Sequence, residues 1–367
     1  MAKIGILTFH RAINNGAVLQ AYALIKAFEA QGCICEDVDY TSKKILDSYV
    51  IKPLWKRTTL KSILLYFLQD KNILKTYKKF EEFRKDYLNS SDKNYDNCIK
   101  TAINDYDAFV TGSDQVWNTE LTGHDLNYFL VFAQDVPKYS YAASIGLNEF
   151  PDDEKTKLKP LLESFAEITV REESAIKVIG RIAENDVRVV PDPVFLINKT
   201  EWEEAFNLNN SNQPYILFFM LHQNDEMIRF DEVFSSRTGK KLISLKNSFK
   251  IIKGMKTIKR FGPEDFLKTI AGASYVVTDS FHAASFSLIL NKELYIGLKT
   301  GDLAELNTRI DGLINKFGIA DRVIGPNTSF DKMNYEAINS RISEQRELGS
   351  NTLKTWVNTV QETEVWR

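Results

Sequence analysis

Val276-Val277-Thr278-Asp279-Ser280-Phe281-His282-Ala283-Ala284-Ser285-Phe286-Ser287 changes character at its middle. Tyr275 to Thr278 is apolar and β-branched, follows the small residues Gly272, Ala273 and Ser274, and reads as a short buried strand. From Ala283 onward Phe286, Ile289 and Leu290 fall on one helical face. Asp279 and Ser280 occupy the joint, and both are good N-cap types. A strand running into a helix N-terminus presents backbone N–H groups and a positive dipole end, which suits an anion. His282, one of four histidines in the chain, falls at that mouth. The plain alternative is a structural histidine behind a capped helix.

The same alternation extends in both directions. The chain opens with a strand over 3–8, a polar loop and a helix over 16–31 carrying Val18, Leu19, Tyr22, Ile25 and Phe28, which Gly32 closes. A strand over 34–39 follows, so the first forty residues form a βαβ unit. Its loop, Arg11 to Gly16 with Asn14 and Asn15, lies at the carboxyl end of the first strand, where α/β sheets bind ligands. It is not G-x-G-x-x-G, so the dinucleotide fingerprint is absent. A strand over 106–111 ends in Gly112-Ser113-Asp114-Gln115-Val116-Trp117-Asn118. That cluster is either a second binding loop or a turn closed by an Asx hydrogen bond. Strands at 139–144, 168–170 and 187–190, with helices between, complete one α/β domain over residues 1–195. An Asn-rich connection with a short helix around Trp202 leads to a second, over 196–345, with strands at 215–220, 241–245, 275–278 and 294–296. Residues 346–367 read as a helical segment of their own.

Residues 43–88 differ, with twelve Lys or Arg against five Asp or Glu. They belong to a basic helical insertion at about 43–100. Tyr49 to Gln69 interleaves Leu54, Trp55, Tyr66 and Phe67 with Lys52, Lys56, Arg57 and Lys61. A basic helix bearing aromatics can lie on an anionic membrane surface, giving peripheral contact; the competing expectation is packing on its own domain or a partner subunit.

Composition sets the outer bounds. At 367 residues the chain has room for two cores, and 26% charged with 44% hydrophobic residues is an ordinary globular mixture. A net charge of −2 argues against nucleic acid as a partner. Cys33, Cys35 and Cys98 have neither C-x-x-C nor metal-ligand spacing, and no metal site is expected. The start enters a strand at once and no apolar run is long enough to span a bilayer. A cytoplasmic protein is the expectation.

Four pieces, in order, resemble the polysaccharide pyruvyl transferase family: Asn14-Asn15-Gly16-Ala17-Val18-Leu19-Gln20; Val110 to Asn118; Val170-Arg171-Glu172-Glu173-Ser174; and Thr278-Asp279-Ser280-Phe281-His282. The resemblance runs from about residue 3 to about residue 325. It implies an α/β fold of two Rossmann-like domains facing across a cleft, GT-B-like. It further implies transfer of pyruvate from phosphoenolpyruvate, a donor substrate, onto two hydroxyls of a sugar as a cyclic ketal, with no cofactor. The sugar acceptor belongs to a cell-surface polysaccharide or its precursor. The family's histidine falls on His282, the expected catalytic residue. Where a better-studied branch has Arg-Leu before it, this chain has Ser280 and Phe281. Arg171 matches the mid-chain arginine and is the first candidate for the donor's carboxylate or phosphate. Arg309, in Leu306-Asn307-Thr308-Arg309-Ile310, is placed to replace the missing charge. Asn14, Asn15, Gly16, Ser113, Asp114, Gln115, Asp279, Ser280 and Phe281 complete the expected binding set. A nucleotide-sugar glycosyltransferase of the GT-B type and a catalytically silent glycan-binding subunit are the two rival readings.

Overall fold

The computed structural model describes residues 1–48, 71–208, 215–245, 255–299 and 307–364. The chain divides into two compact units, Met1–Val50 with Arg84–Ile197 and Ser343–Arg367, and Ile51–Phe83 with Asn198–Ile342.

In the first unit β1 (Lys3–Leu7), α1 (Asn15–Glu29) and β2 (Ile34–Asp39) form the opening βαβ turn, followed by α2 (Lys43–Ser48). After α3 (Lys71–Tyr87) come β3 (Ser90–Asn94), β4 (Ala108–Thr111), the single turn α4 (Thr119–Thr122), β5 (Lys138–Ala143), α5 (Asp152–Glu163), β6 (Glu167–Val170), α6 (Glu173–Ile179) and β7 (Val187–Val189). The seven strands are ordered β3-β2-β1-β4-β5-β6-β7, and every pairing is parallel. That is the doubly wound Rossmann order with one strand added, and its direction of winding reverses between β1 and β4. The central strands are buried along almost their whole length, as a parallel sheet with helices on both faces requires.

The second unit contains α7 (Lys199–Phe206), β8 (Tyr215–Phe219), α8 (Asp225–Thr238), β9 (Lys241–Leu245), β10 (Lys256–Ile258), α9 (Pro263–Gly272), β11 (Tyr275–Thr278), α10 (Phe281–Ile289), β12 (Glu293–Ile296) and α11 (Thr308–Phe317). Its five strands run β10-β9-β8-β11-β12, again all parallel, with the reversal between β8 and β11. The chain is therefore α/β with two Rossmann-like sheets.

Two strands were not expected from sequence. β3 falls inside the segment expected to be a helical insertion; its Ser-Ser-Asp-Lys-Asn carries no apolar alternation. It is an edge strand held by β2 alone, and Asp39 N–H donates to Ser91 Oγ at 2.9 Å. β10, three residues long, is the corresponding edge of the second sheet. Tyr49 to Gln69, the part of the basic segment that raised the membrane reading, lies outside the described residues. The described part, α3, is packed: Phe80 and Phe83 are buried, Phe83 stacks on Phe206 at 5.9 Å, and Lys79 pairs with Asp265 at 2.7 Å. No described helix is long and apolar enough to cross a membrane.

The last helix, α12 (Tyr335–Glu364), carries Trp356, buried, stacked on Tyr139 at 4.7 Å and donating its indole N–H to Glu167 at 2.9 Å. The C-terminal helical segment thus contributes Trp356 to the first unit's packing.

Candidate active site

Each sheet gathers the sequence-marked residues at its own switch point. In the first unit the loop after β1 is closed by Asn14, the N-cap of α1, whose side-chain Oδ1 accepts from Gly16 N–H at 3.0 Å and Ala17 N–H at 3.4 Å. The loop after β4 lies beside it: Ser113 is fully buried, its Oγ donates to Asp192 at 3.2 Å and its carbonyl accepts from Thr8 at 2.9 Å. Asp114 stands at φ 73°, a left-handed backbone that asparagine and aspartate tolerate better than most, and its carboxylate accepts from Gln115 N–H at 2.9 Å. The Gln115 amide lies against Gly146, where a Cβ would meet its nitrogen at 1.8 Å. Both candidate loops therefore lie at the carboxyl edge of the first sheet, and Val116 N–H closes the second by donating to the Asp114 backbone carbonyl at 2.8 Å.

Arg171 follows β6, and its side chain is only 3% exposed. Its guanidinium meets Asp192 at 2.8 Å, Glu172 at 3.7 Å and Asp114 at 3.8 Å. Glu172 in turn accepts from Ser144 Oγ at 2.7 Å and Ile145 N–H at 3.2 Å. Burial works against the charged guanidinium, and the three carboxylates more than offset it, holding the pKa above the ordinary arginine value. The expectation for Arg171 was a donor-binding arginine or an ion pair on a solvated turn. The structure places it among three buried carboxylates, those of Asp192, Glu172 and Asp114.

The second unit is arranged differently. Ser280 caps α10, its Oγ accepting from Ala283 N–H at 3.4 Å, which puts His282 in the first helical turn. Phe281 packs edge-on against the His282 ring at 5.1 Å. The His282 residue is buried, and its Nε2 is enclosed. Asp279, also buried, reaches across the switch point to the loop after β8: it accepts from Leu221 N–H at 2.6 Å and His222 N–H at 2.9 Å. The same carboxylate meets His222 Nδ1 at 3.2 Å. The loop after β12 joins through Asn224, which donates to Leu298 O at 2.8 Å, and through Asn307, whose amide bonds both the N–H and the carbonyl of Lys299.

Lys299 and Arg309 lie in one electrostatic neighbourhood. Burial lowers the Lys299 pKa, the adjacent Arg309 lowers it further, and Asp279 partly opposes both. Lys299 follows β12 at the carboxyl edge of the second sheet, and Arg309 lies in the first turn of α11. Arg309 was marked from sequence; Lys299 and His222 were not. No local motif announces either one, since each is joined to Asp279 only by the strand order, His222 from 57 residues earlier in the chain.

Two Rossmann-like units in tandem, each with polar loops at its switch point, define the chain as α/β of the GT-B-like kind. The chain belongs to the polysaccharide pyruvyl transferase family, whose sequence profile matches residues 14–296 and so takes in both switch points. Membership makes it a transferase with a polysaccharide or sugar acceptor. No curated protein matches the sequence. Among solved structures, the UDP-GlcNAc 2-epimerase of Neisseria meningitidis bound to UDP-GlcNAc is similar at 11% identity and TM-score 0.47, covering 99% of this chain and 100% of that one. A UDP-N-acetylglucosamine 2-epimerase assigned in Listeria monocytogenes reaches 13% identity and TM-score 0.47, over 96% of this chain and 90% of that one. Sucrose-phosphate synthase of Thermosynechococcus elongatus reaches 11% and 0.45, over 99% and 100%.

Proposed function

We propose that the protein transfers pyruvate from phosphoenolpyruvate to two hydroxyls of a sugar in a cell-surface polysaccharide or its precursor. The observation that carries this reading is the joint of β11 and α10: a histidine in the first turn of a helix whose sheet edge also holds Lys299 and Arg309. Phosphoenolpyruvate has a carboxylate and a phosphate, so it needs positive charge at both ends. Lys299, Arg309 and the α10 N-terminus supply it without the arginine that Ser280 replaces.

The reaction adds a proton to the donor's methylene carbon and a sugar oxygen to the adjacent carbon. Phosphate then leaves, and the second hydroxyl closes the ketal. One hydroxyl proton balances the new methyl C–H bond and the other leaves with inorganic phosphate. His282, at a helix N-terminus, suits the base that takes the first hydroxyl proton. No resident cofactor enters this scheme. The test is phosphate release from phosphoenolpyruvate across a panel of acceptor glycans. Release that requires an acceptor and yields a ketal supports the reading. Protection against heat by nucleotide sugars but not phosphoenolpyruvate would instead favour a glycosyltransferase, and silence toward every donor a glycan-binding subunit.

A further inference from the structure

Pyruvate transfer as proposed above needs two proton-handling groups at once: one takes a hydroxyl proton while another delivers a proton to carbon. His282 is a single imidazole with an enclosed Nε2. The second unit holds a second histidine at the same switch point. His222 ends the loop after β8, and its side chain is 39% exposed, whereas its carboxylate partner Asp279 is 1% exposed. The Asp279 carboxylate is fixed by two backbone N–H donors, from Leu221 and His222, before it meets His222 Nδ1 at 3.2 Å. A carboxylate can only accept there, so the ring carries a proton on Nδ1 and its working nitrogen is Nε2. A buried, immobilised carboxylate behind an exposed imidazole fixes the orientation of the ring.

We propose that His222 is the general acid of the reaction, with Asp279 its positioning residue. This rests on the pyruvyl-transfer reading. In the step assigned, the Nε2–H bond of the His222 imidazolium breaks and a C–H bond forms at the methylene carbon of phosphoenolpyruvate. The π electrons of the donor supply that bond, and the sugar oxygen bonds to the adjacent carbon as His282 accepts its proton. The second hydroxyl gives its proton to the His222 imidazole as it closes the ketal, and the proton taken by His282 leaves with the phosphate.

The experiment compares wild type with His222→Gln, His222→Ala and His282→Ala in phosphate release from phosphoenolpyruvate with an accepted glycan. The expected result is a fall of about 10²- to 10⁴-fold in kcat for both His222 variants with the donor KM within twofold of wild type. Added imidazole should restore His222→Ala and leave His282→Ala silent, because the His222 ring is half open to solvent and the His282 ring is enclosed. Wild-type turnover with an unchanged kcat in His222→Gln overturns the acid role and leaves pyruvyl transfer standing. A loss of activity that tracks loss of the folded baseline in circular dichroism, or one that imidazole does not restore, assigns His222 to structure and also overturns it. A wild type that releases no phosphate overturns the underlying reading and the acid role together.

Discussion

The two switch points hold similar residue types and treat charge in opposite ways. In the first unit Arg171 is enclosed by Asp114, Glu172 and Asp192, and the loops after β4, β5, β6 and β7 are knitted to one another through that cluster. In the second, Asp279 binds two backbone amides and one imidazole, while Lys299 and Arg309 sit close enough to perturb each other. The first arrangement gathers three carboxylates around one guanidinium and ties the loops of a sheet edge together. The second sets a histidine in the first turn of α10, next to a carboxylate that two backbone amides hold. The lesson is that an arginine in a family motif is read by what surrounds it, here three carboxylates.

The contrast breaks most directly at His282. His282→Ala is expected to abolish pyruvate transfer with no change in melting temperature, read by phosphate release alongside thermal denaturation. Retained turnover would sink the assignment of the second unit as the chemical one. Arg171→Ala is the converse experiment. Removing the guanidinium strands three carboxylates near one another, two of them almost fully buried, and should cost about 3–5 kcal/mol in urea denaturation. If donor affinity falls while stability holds, the cage is a binding site after all. Lys299→Ala and Arg309→Ala should each raise the donor KM by roughly tenfold, the loss of one charge-assisted contact, and the fold should be unaffected. Equal KM values in both variants and wild type would remove the cation pair from the site.

A fourth test uses a buried carboxyl in each unit. Asp37 on β2 and Asp231 on α8 have no hydrogen-bond partner for either oxygen among the described residues, and burial pushes each up to about 7. A raised carboxyl pKa means that the folded state holds the proton longer than the unfolded one. Stability associated with these groups is therefore present at pH 4 and lost as pH rises toward and past 7, by on the order of a few kcal/mol for each. Asp231→Asn should flatten that decline by its own share, visible in urea midpoints at pH 5 and pH 8. The smallest effect belongs to Ser280→Ala, which removes a 3.4 Å cap and should cost about 0.5–1 kcal/mol. A donor KM unchanged in that variant would make Ser280 a helix cap only.

Most of the sheet-forming strands were legible because a parallel sheet covered on both faces demands continuous apolar runs such as Ile216-Leu217-Phe218-Phe219 and Tyr275-Val276-Val277. The edge strands β3 and β10 were not, since a strand paired on one side needs no such run. The loops at the two switch points were legible as small polar clusters following strands. Their partners were not: Asp192 for Arg171, His222 and Lys299 for Asp279, and Asp39 for His10 and Arg11 are brought in by strand order. Periodicity marks a strand without saying which other strand will lie beside it. That is why His282 stood out in the sequence and His222 did not.

Trp356 has a consequence for the order in which the protein is made. The first unit is discontinuous: residues from the last helix complete the packing around Tyr139, Tyr141 and Glu167, and at Gly349 a Cβ would meet the Tyr141 hydroxyl and a Leu196 methyl at 2.4 Å. A growing chain presents the first sheet long before that helix emerges, whereas all the strands of the second sheet are contiguous in sequence. During synthesis the strand bearing Tyr139 and Tyr141 must wait, uncovered on that face, for nearly the whole chain. The first unit begins first and is finished last.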